Sequence, residues 1–448
     1  MNGGLKHDIP TRIWKIVNLA LMVASFALVW YPYYSVHAQV QYYRKGDWVV
    51  LAIFTVLYFV LCRSYEGFNI STSQISEIVY SQFLALLVSD FVMFMFIWLV
   101  SLDFPNVFPM LMCIVIQIGI SILWAFFGHH WYYWVNKPKK SAVIFELREG
   151  FEKLVSDYGM EKKYNVQDTF SVDKVIENID IIDQYETVFM AGIHSHDRNI
   201  IIKHCVEKGI EALVIPRVGD VIMGSARTMH MFHLPIMQVR RYRPLPEYII
   251  FKRVFDIICS LIFLIIFAPF MLITAIAVKS DGGPALYKQK RLTKDGKEFY
   301  ILKFRSMRVD AEKDGVARLS TGSKDDRITK VGKVIRAIRF DELPQVFNIL
   351  KGEMSIVGPR PERPEIAAQY EKDIPEFRLR LQAKAGLTGY AQVYGKYNTT
   401  PYDKLLMDLM YIGHPSIVED LRICFATVKI LFMKDSTEGV EEGKTTAS

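Results

Sequence analysis

Apolar residues come in long runs over the first part of the chain and in short alternating runs after it. Between Lys15 and Arg44 no formal charge occurs, and Ile16–Val36 is long enough to cross a ~30 Å hydrocarbon core at about 1.5 Å per residue. Comparable runs follow at Trp48–Cys62, Ile78–Leu102 and Phe104–Gly128, so the pattern predicts a four-span helical bundle within residues 1–136. A cleaved signal peptide is the competing reading of the first run, because Lys6, Arg12 and Lys15 precede it and Val36-His37-Ala38 resembles a small-x-small cleavage site. Lys6, Arg12 and Lys15, then Arg63, then Lys137, Lys139 and Lys140 flank the spans on one side, against only Arg44 and Lys45 on the other. Positive charge stays on the cytoplasmic side, which predicts that both ends of the bundle face the cytoplasm. Asp90, alone in the third run, is expected to be an interhelical hydrogen-bonding group.

From Ser141 the runs shorten. Ala142–Phe145, Thr187–Gly192 and Glu211–Pro216 read as strands, and Glu149–Tyr158 and Asn199–Lys208 as helices. Such alternation predicts a parallel sheet, and residues 141–243 are expected to form a degenerate Rossmann-like α/β cytoplasmic domain. A dinucleotide would need a glycine-rich turn after the first strand, but Glu146–Gly150 has no G-x-G-x-x-G, so no such cofactor is expected. His194, His196 and Asp197 follow a strand without a cysteine partner and read as solvated turn residues.

Tyr242–Glu247, with two prolines, marks a linker. After it, Ile257–Val278 carries no charge and contains Pro269, with Lys252, Arg253 and Lys279 at its ends. Proline removes an interior backbone hydrogen bond, and positive charge at both ends favours a return to one face. Residues 254–278 are therefore expected to form a re-entrant helix. Ile417–Lys434 mixes apolar and charged residues as a membrane-surface helix does, although a helix packed on a protein core would look the same. Residues 436–448 read as a flexible tail.

Composition sharpens this picture. The chain has 448 residues, enough for two or three domains, with 51% hydrophobic and 23% charged residues, which excludes general disorder. Five cysteines with no C-x-x-C pair suggest neither a disulfide framework nor a zinc site. The net charge is +7, and residues 279–340 hold 17 Lys or Arg against 8 Asp or Glu. That surplus calls for an anionic partner. With few interleaved aromatics and an apolar neighbour, a phosphorylated lipid or nucleotide suits it better than nucleic acid. Directly after the basic stretch come Asp341 and Glu342, with Pro344 suited to a first helical turn and Gly352 to a stop, which places the two carboxylates at a helix N-terminus. They read either as simple caps or as a divided pair, one attacking an electrophile while the other holds a divalent ion. Gly358-Pro359-Arg360-Pro361 makes a rigid loop presenting an arginine suited to phosphate.

Six ordered motifs carry a resemblance: Lys252-Arg253 with Asp256, Tyr287-Lys288-Gln289-Lys290-Arg291, Lys303-Phe304-Arg305-Ser306-Met307, Asp341-Glu342-Leu343-Pro344-Gln345, the stretch Gly352–Pro361, and Ala385-Gly386-Leu387-Thr388-Gly389. Together, over residues 250–435, they resemble the bacterial sugar transferases, the monotopic polyprenyl-phosphate phosphoglycosyl transferases, in the long form with preceding spans and α/β domain. The resemblance implies a mainly α, membrane-associated catalytic domain that passes a sugar 1-phosphate from a UDP-sugar (UDP-glucose or UDP-galactose) to undecaprenyl phosphate. Its setting would be the cytoplasmic face of a bacterial inner membrane, among membrane lipids, and its product would found an exopolysaccharide or capsule repeat unit. It further implies Asp341 as nucleophile, Glu342 as ligand of Mg²⁺, and Arg336, Arg360, Lys303 and Arg305 as substrate binders. The α/β domain, with a foldable core but no cofactor turn, is expected to be regulatory or structural and, with the helical bundle, to bring two chains together as a homodimer. Three departures stand out: Ala268 before Pro269 where the family often has serine, Arg339 where it has a small polar residue, and Glu353 for the commoner aspartate. The rivals are a non-catalytic scaffold of polysaccharide assembly, which would lack Asp341 or Arg360, and a nucleotide-sugar oxidoreductase or dehydratase, which would need the missing glycine turn.

Overall fold

The computed structural model describes residues 3–37, 46–101, 103–146, 155, 160–280, 282–308, 327–395 and 399–431. The chain divides into two compact units, Met1–Ile215 and Pro216–Ser448.

The first unit begins with helices α1 (Gly3–Val29), α2 (Gly46–Ser64), α3 (Ile75–Ser101) and α4 (Phe108–Val135). Helix α1 runs on to His37 through a π turn at Trp30–Tyr34, where Pro32 interrupts the α-helical hydrogen-bond ladder. All four are long and apolar enough to cross a membrane. Their core is aromatic: Phe26 stacks on Phe54 at 4.4 Å, and Trp30 and Tyr58 are fully buried beside them. A buried polar chain ties three helices together. Tyr58 donates to Asn18 (2.8 Å), Asn18 to Gln82 (3.3 Å), and Gln82 to the Gly67 carbonyl (2.9 Å). In lipid, where apolar contact alone gives helices no reason to associate, such bonds and close packing hold them together. Asp90 is fully buried in α3, with the equally buried Gln117 of α4 beside it as its interhelical polar neighbour.

Beyond α4, strands β1 (Lys139–Phe145), β2 (Tyr164–Ser171), β3 (Thr187–Ala191) and β4 (Glu211–Val214) form one parallel sheet in the order β2-β1-β3-β4. The parallel α/β architecture matches the expectation, with one strand more. β2 went unread because it is an edge strand with one buried residue in eight, so it carries no apolar run. Between β2 and β3 lies the short helix α5 (Val172–Glu177). Helix α6 spans Ser195–Lys208 and stops at Gly209, whose φ of +73° suits glycine. His196 and Asp197 thus belong to a helical first turn and not to a loop; His194 precedes them and pairs with Glu146 at the end of β1. The expected helix Glu149–Tyr158 lies outside the described residues except for Val155.

The second unit starts inside the stretch 141–243. Helix α7 (Val218–Gly224) buries Val218 and Val221 in one core with Val357, Phe377, Leu405, Leu409 and Ile423, and a hairpin follows, β5 (Arg227–Met231) with β6 (Leu234–Gln238). Helix α8 then runs from Pro246 to Lys279 with Pro269 inside it, and is the fifth helix among the described residues long and apolar enough to cross a membrane. The remaining elements are strands β7 (Leu286–Leu292) and β8 (Glu298–Phe304), helices α9 (Lys330–Ala337) and α10 (Gln345–Lys351), strand β9 (Ser355–Val357), helix α11 (Pro364–Asp373), strand β10 (Gly386–Thr388), and helices α12 (Tyr390–Tyr394), α13 (Pro401–Gly413) and α14 (Ile417–Leu431). A 3-10 segment, Pro375–Gln382, separates α11 from β10. α14 buries Ile423 completely while Val418 stays exposed. Lys434 and the expected tail lie outside the described residues.

The charged motif at the start of α8 fastens that helix to this unit. Lys252 pairs with Asp420 (2.8 Å) and donates to the Tyr411 hydroxyl (3.0 Å). Arg253 donates to the carbonyls of Ile349 (2.6 Å) and Leu350 (2.7 Å), satisfying the open C-terminal end of α10, and Asp256 accepts from Ser355 Oγ (3.1 Å) and the Ile356 amide (3.0 Å). On its other side α8 presents apolar residues to the surroundings, among them Ile250, Phe251, Ile265, Leu272 and Ile276.

Candidate active site

Helix α9 begins where Thr329 Oγ1 accepts from the Gly332 amide (2.9 Å) and ends before Arg339, whose backbone is left-handed at φ 59°, ψ 19°. That conformation is uncommon for a residue with a Cβ and turns the chain sharply into a 3-10 turn, Phe340–Glu342. The two carboxylates therefore sit in this turn ahead of α10, which starts at Gln345 with Pro344 as its cap, and not at the helix N-terminus that the sequence suggested. The reason is the burial of the residues on either side of the pair. Phe340 meets the rings of Phe267 and Phe270 of α8 edge-on, at 6.3 and 6.2 Å, and Leu343 packs with Met271, Val278, Phe304 and Ile335. The apolar helix thus holds the turn that carries Asp341 and Glu342.

Two segments converge on Glu342. Lys303 of β8 pairs with Oε1 at 2.6 Å, and Arg360 of the proline-rich loop with the same oxygen at 3.1 Å. Asn348, fully buried, fixes β8 by accepting from the Leu302 amide (3.0 Å) and donating to the Tyr300 carbonyl (2.8 Å), and it also donates to Glu353 (2.6 Å). Asp341 makes no hydrogen bond or ion pair with the described residues, although the charges of Lys303, Arg336 and Arg339 act on it. Arg305 goes elsewhere. Its guanidinium donates to the carbonyls of Pro284 (2.9 Å) and Val278 (3.1 Å), closing the end of α8.

The loop that presents Arg360 is fixed by backbone contact. β9 and β10 pair in parallel, the Gly358 amide donates to Thr388 O (2.8 Å), and the Gly386 amide donates to Pro359 O (2.9 Å). A Cβ on Gly358 would lie 2.3 Å from Lys384 O, one on Gly386 2.2 Å from Gly358 N, and one on Gly389 2.1 Å from Gly358 O. Only glycine lets the two motifs lie this close. Two arginines hold the loop's carbonyls: the half-buried Arg291 donates to Pro361 O (3.1 Å) and the buried Arg380 to Arg360 O (3.0 Å). Arg380 is in turn paired with the fully buried Asp408 of α13 at 2.6 Å. Nothing in the sequence singled out Arg380 or Asp408, because a buried ion pair between segments 28 residues apart leaves no periodic trace.

Burial pushes Asp341 above the usual aspartate range, with Lys303 opposing and the neighbouring Glu342 charge adding to the rise. Burial also acts to raise Glu342, but Lys303 and Arg360 outweigh it and hold that carboxyl below the usual range. The two carboxyls are thus pushed apart, Glu342 downward by its cations and Asp341 upward by burial. Stability from Glu342 is present above its unfolded value and is lost as pH falls through the lower folded one. Any reaction that uses ionised Asp341 should show the opposite displacement, an acid limb of kcat/KM above the ~3.9 of a free aspartate. Lys303→Met should move that limb further up, and a pH-rate profile checks both.

Two adjacent carboxylates offer hard oxygen donors of the kind Mg²⁺ takes, one or two at a time, together with substrate phosphates. The donor set fits, although Oε1 of Glu342 is already shared by two cations.

Comparison with known proteins covers the part of the chain that carries this site. The family described as Bacterial sugar transferase matches residues 247–434, which include every residue of the site. A UDP-N-acetylgalactosamine-undecaprenyl-phosphate N-acetylgalactosaminephosphotransferase of Aeromonas hydrophila is 36% identical over 51% of this chain and 54% of its own length. A UDP-glucose:undecaprenyl-phosphate glucose-1-phosphate transferase of Caulobacter vibrioides is 39% identical over 45% of this chain and 78% of its own. An exopolysaccharide production protein of Rhizobium leguminosarum bv. phaseoli is 42% identical over 40% and 94%. The chain thus spans about half the length of the Aeromonas relative and most of the other two. With the site-bearing unit matched from the start of α8 to beyond α14, the chain belongs to the bacterial sugar transferase family.

Proposed function

We propose that this membrane protein transfers a sugar 1-phosphate from a UDP-sugar to undecaprenyl phosphate, a first step of exopolysaccharide or capsule assembly. The observation that carries the reading is the cluster of Lys303, Glu342 and Arg360 beside a carboxylate, Asp341, that is left without a partner of its own among the described residues. In the reaction, an Asp341 oxygen attacks the β-phosphorus of the donor, and the bond to the bridging oxygen breaks with its electron pair leaving on uridine monophosphate. An oxygen of undecaprenyl phosphate then attacks the aspartyl-bound phosphorus and frees the carboxylate. Lys303 and Arg360 orient the phosphate oxygens and offset their charge, and Arg336 adds to the positive field. Glu342 is the residue that would hold Mg²⁺, which would supply charge neutralisation on the diphosphate. An excess of chelator should abolish turnover, and added Mg²⁺ should restore it. Incubation with a panel of UDP-sugars and undecaprenyl phosphate, with released monophosphate measured, tests the function. Absence of lipid-linked product with every donor would defeat it.

α8 is proposed to enter and leave the membrane on one face. Arg253 and Asp256 near its start and Val278 near its end are all bonded to the same unit, and a helix anchored at both ends to one globular body has no free end to cross with. Cysteines introduced at Glu247 and Ser280, both exposed, should react with an impermeant thiol reagent from the cytoplasmic side only. Labelling of one from the periplasm would make the segment a span.

A further inference from the structure

A cleft of about 1040 Å³ opens in the second unit, and none of Lys303, Asp341, Glu342 or Arg360 lines it. Its walls carry Arg227, Arg240, Arg241, Arg243 and Arg378, against one acid, Asp295. Arg241 takes that acid at 2.5 Å, and the other four guanidiniums have no side-chain partner among the described residues. β5 and β6 pair Arg227 opposite Gln238, two residues before Arg240, and Arg378 comes from the 3-10 segment, whose Gln382 accepts from the Tyr242 amide at 2.9 Å. Four unneutralised guanidiniums around one cleft repel one another, and a bound anion would relieve that repulsion.

The surroundings point to the kind of anion. Arg240–Arg243 end just before α8, where Leu245 is 70% exposed and Ile249, Ile250 and Phe251 are exposed after it. On the opposite rim, Gly413 and Pro415 lead to α14, where Val418 is 75% exposed. The basic cleft is therefore bordered on two sides by apolar side chains turned to the surroundings, the arrangement that places charge at headgroup depth beside acyl chains. We propose that the cleft binds the phosphodiester headgroup of an anionic membrane phospholipid, at a site separate from that of the reaction. The inference rests on the reading of α8 as a membrane-embedded helix.

The full chain in mixed vesicles of phosphatidylglycerol and phosphatidylcholine, recovered in mild detergent and weighed by native mass spectrometry, tests it. The wild type should keep phosphatidylglycerol in preference to phosphatidylcholine. Arg240→Gln/Arg378→Gln should weaken that retention on the order of tenfold. Lys174→Gln/Lys203→Gln, which removes the same charge from exposed positions of the first unit, should leave it unchanged. Equal retention by wild type and the arginine variant, or equal loss in both variants, would overturn the cleft. Displacement of the lipid by inorganic pyrophosphate from the wild type alone would make it a site for soluble phosphate and sink the lipid assignment. Failure of the wild type to enter vesicles at all would overturn the reading of α8 and the cleft together.

Discussion

Asp341→Asn should lose sugar-phosphate transfer by at least ~10³-fold while folding as well as the wild type or better. The amide keeps the shape of the side chain and removes the oxygen charge that attacks phosphorus. Structural collapse is not expected, because Asp341 pairs with none of the described residues and because burial already disfavours its ionised form. A group whose folded value is raised above the unfolded one opposes folding at neutral pH, so a neutral replacement relieves that cost. Loss of activity with an unchanged or higher Tm is thus the signature of a nucleophile. Turnover by the variant within tenfold of wild type, measured with radiolabelled donor, would remove Asp341 from the chemistry. Glu342→Gln should behave differently, since it leaves Lys303 and Arg360 facing each other without their shared carboxylate and should lower both activity and Tm.

Asp408→Ala is expected to cost about 3 kcal/mol of stability, the low end for breaking a buried ion pair, because Glu362 stays within reach of Arg380. Arg380 is 4% exposed, with Asp408 at 2.6 Å, Glu362 at 3.5 Å and the face of Phe377 at 4.9 Å, so no solvent is at hand to take over. The double variant Asp408→Leu/Arg380→Met should recover most of the stability, because apolar side chains of similar volume replace buried pairs at little net cost. It should not recover activity, since the Arg360 carbonyl then loses its donor and the loop that carries the guanidinium is no longer held. Chemical denaturation of single and double variants, set beside their kcat, separates the two effects. Full activity in a stable double variant would show that the pair serves stability alone.

Much of the architecture can be read from short-range pattern. Apolar runs and the stop at Gly352 act through the chain's own period and through φ, and the helices they mark are present close to where the pattern puts them. β2 escaped because an exposed edge strand needs no apolar face. The two carboxylates were legible as chemistry, but their placement in a 3-10 turn was not. That depends on Phe340 and Leu343 finding α8, some seventy residues back along the chain.

Sequence by itself determined which residue types the site could contain: two adjacent carboxylates, a basic stretch before them, an arginine between prolines, and the glycines where backbones touch. Tertiary structure alone decided how they are used. It turned Lys303 onto Glu342 and Arg305 onto the end of α8, although only Phe304, the last residue of β8, separates the two. It also buried Arg380 and Asp408 as the support of the Arg360 loop. The physical reason is that periodicity and backbone preference act over a few residues, whereas an ion pair or a held carbonyl depends on which distant segments the closed core brings within about 3 Å.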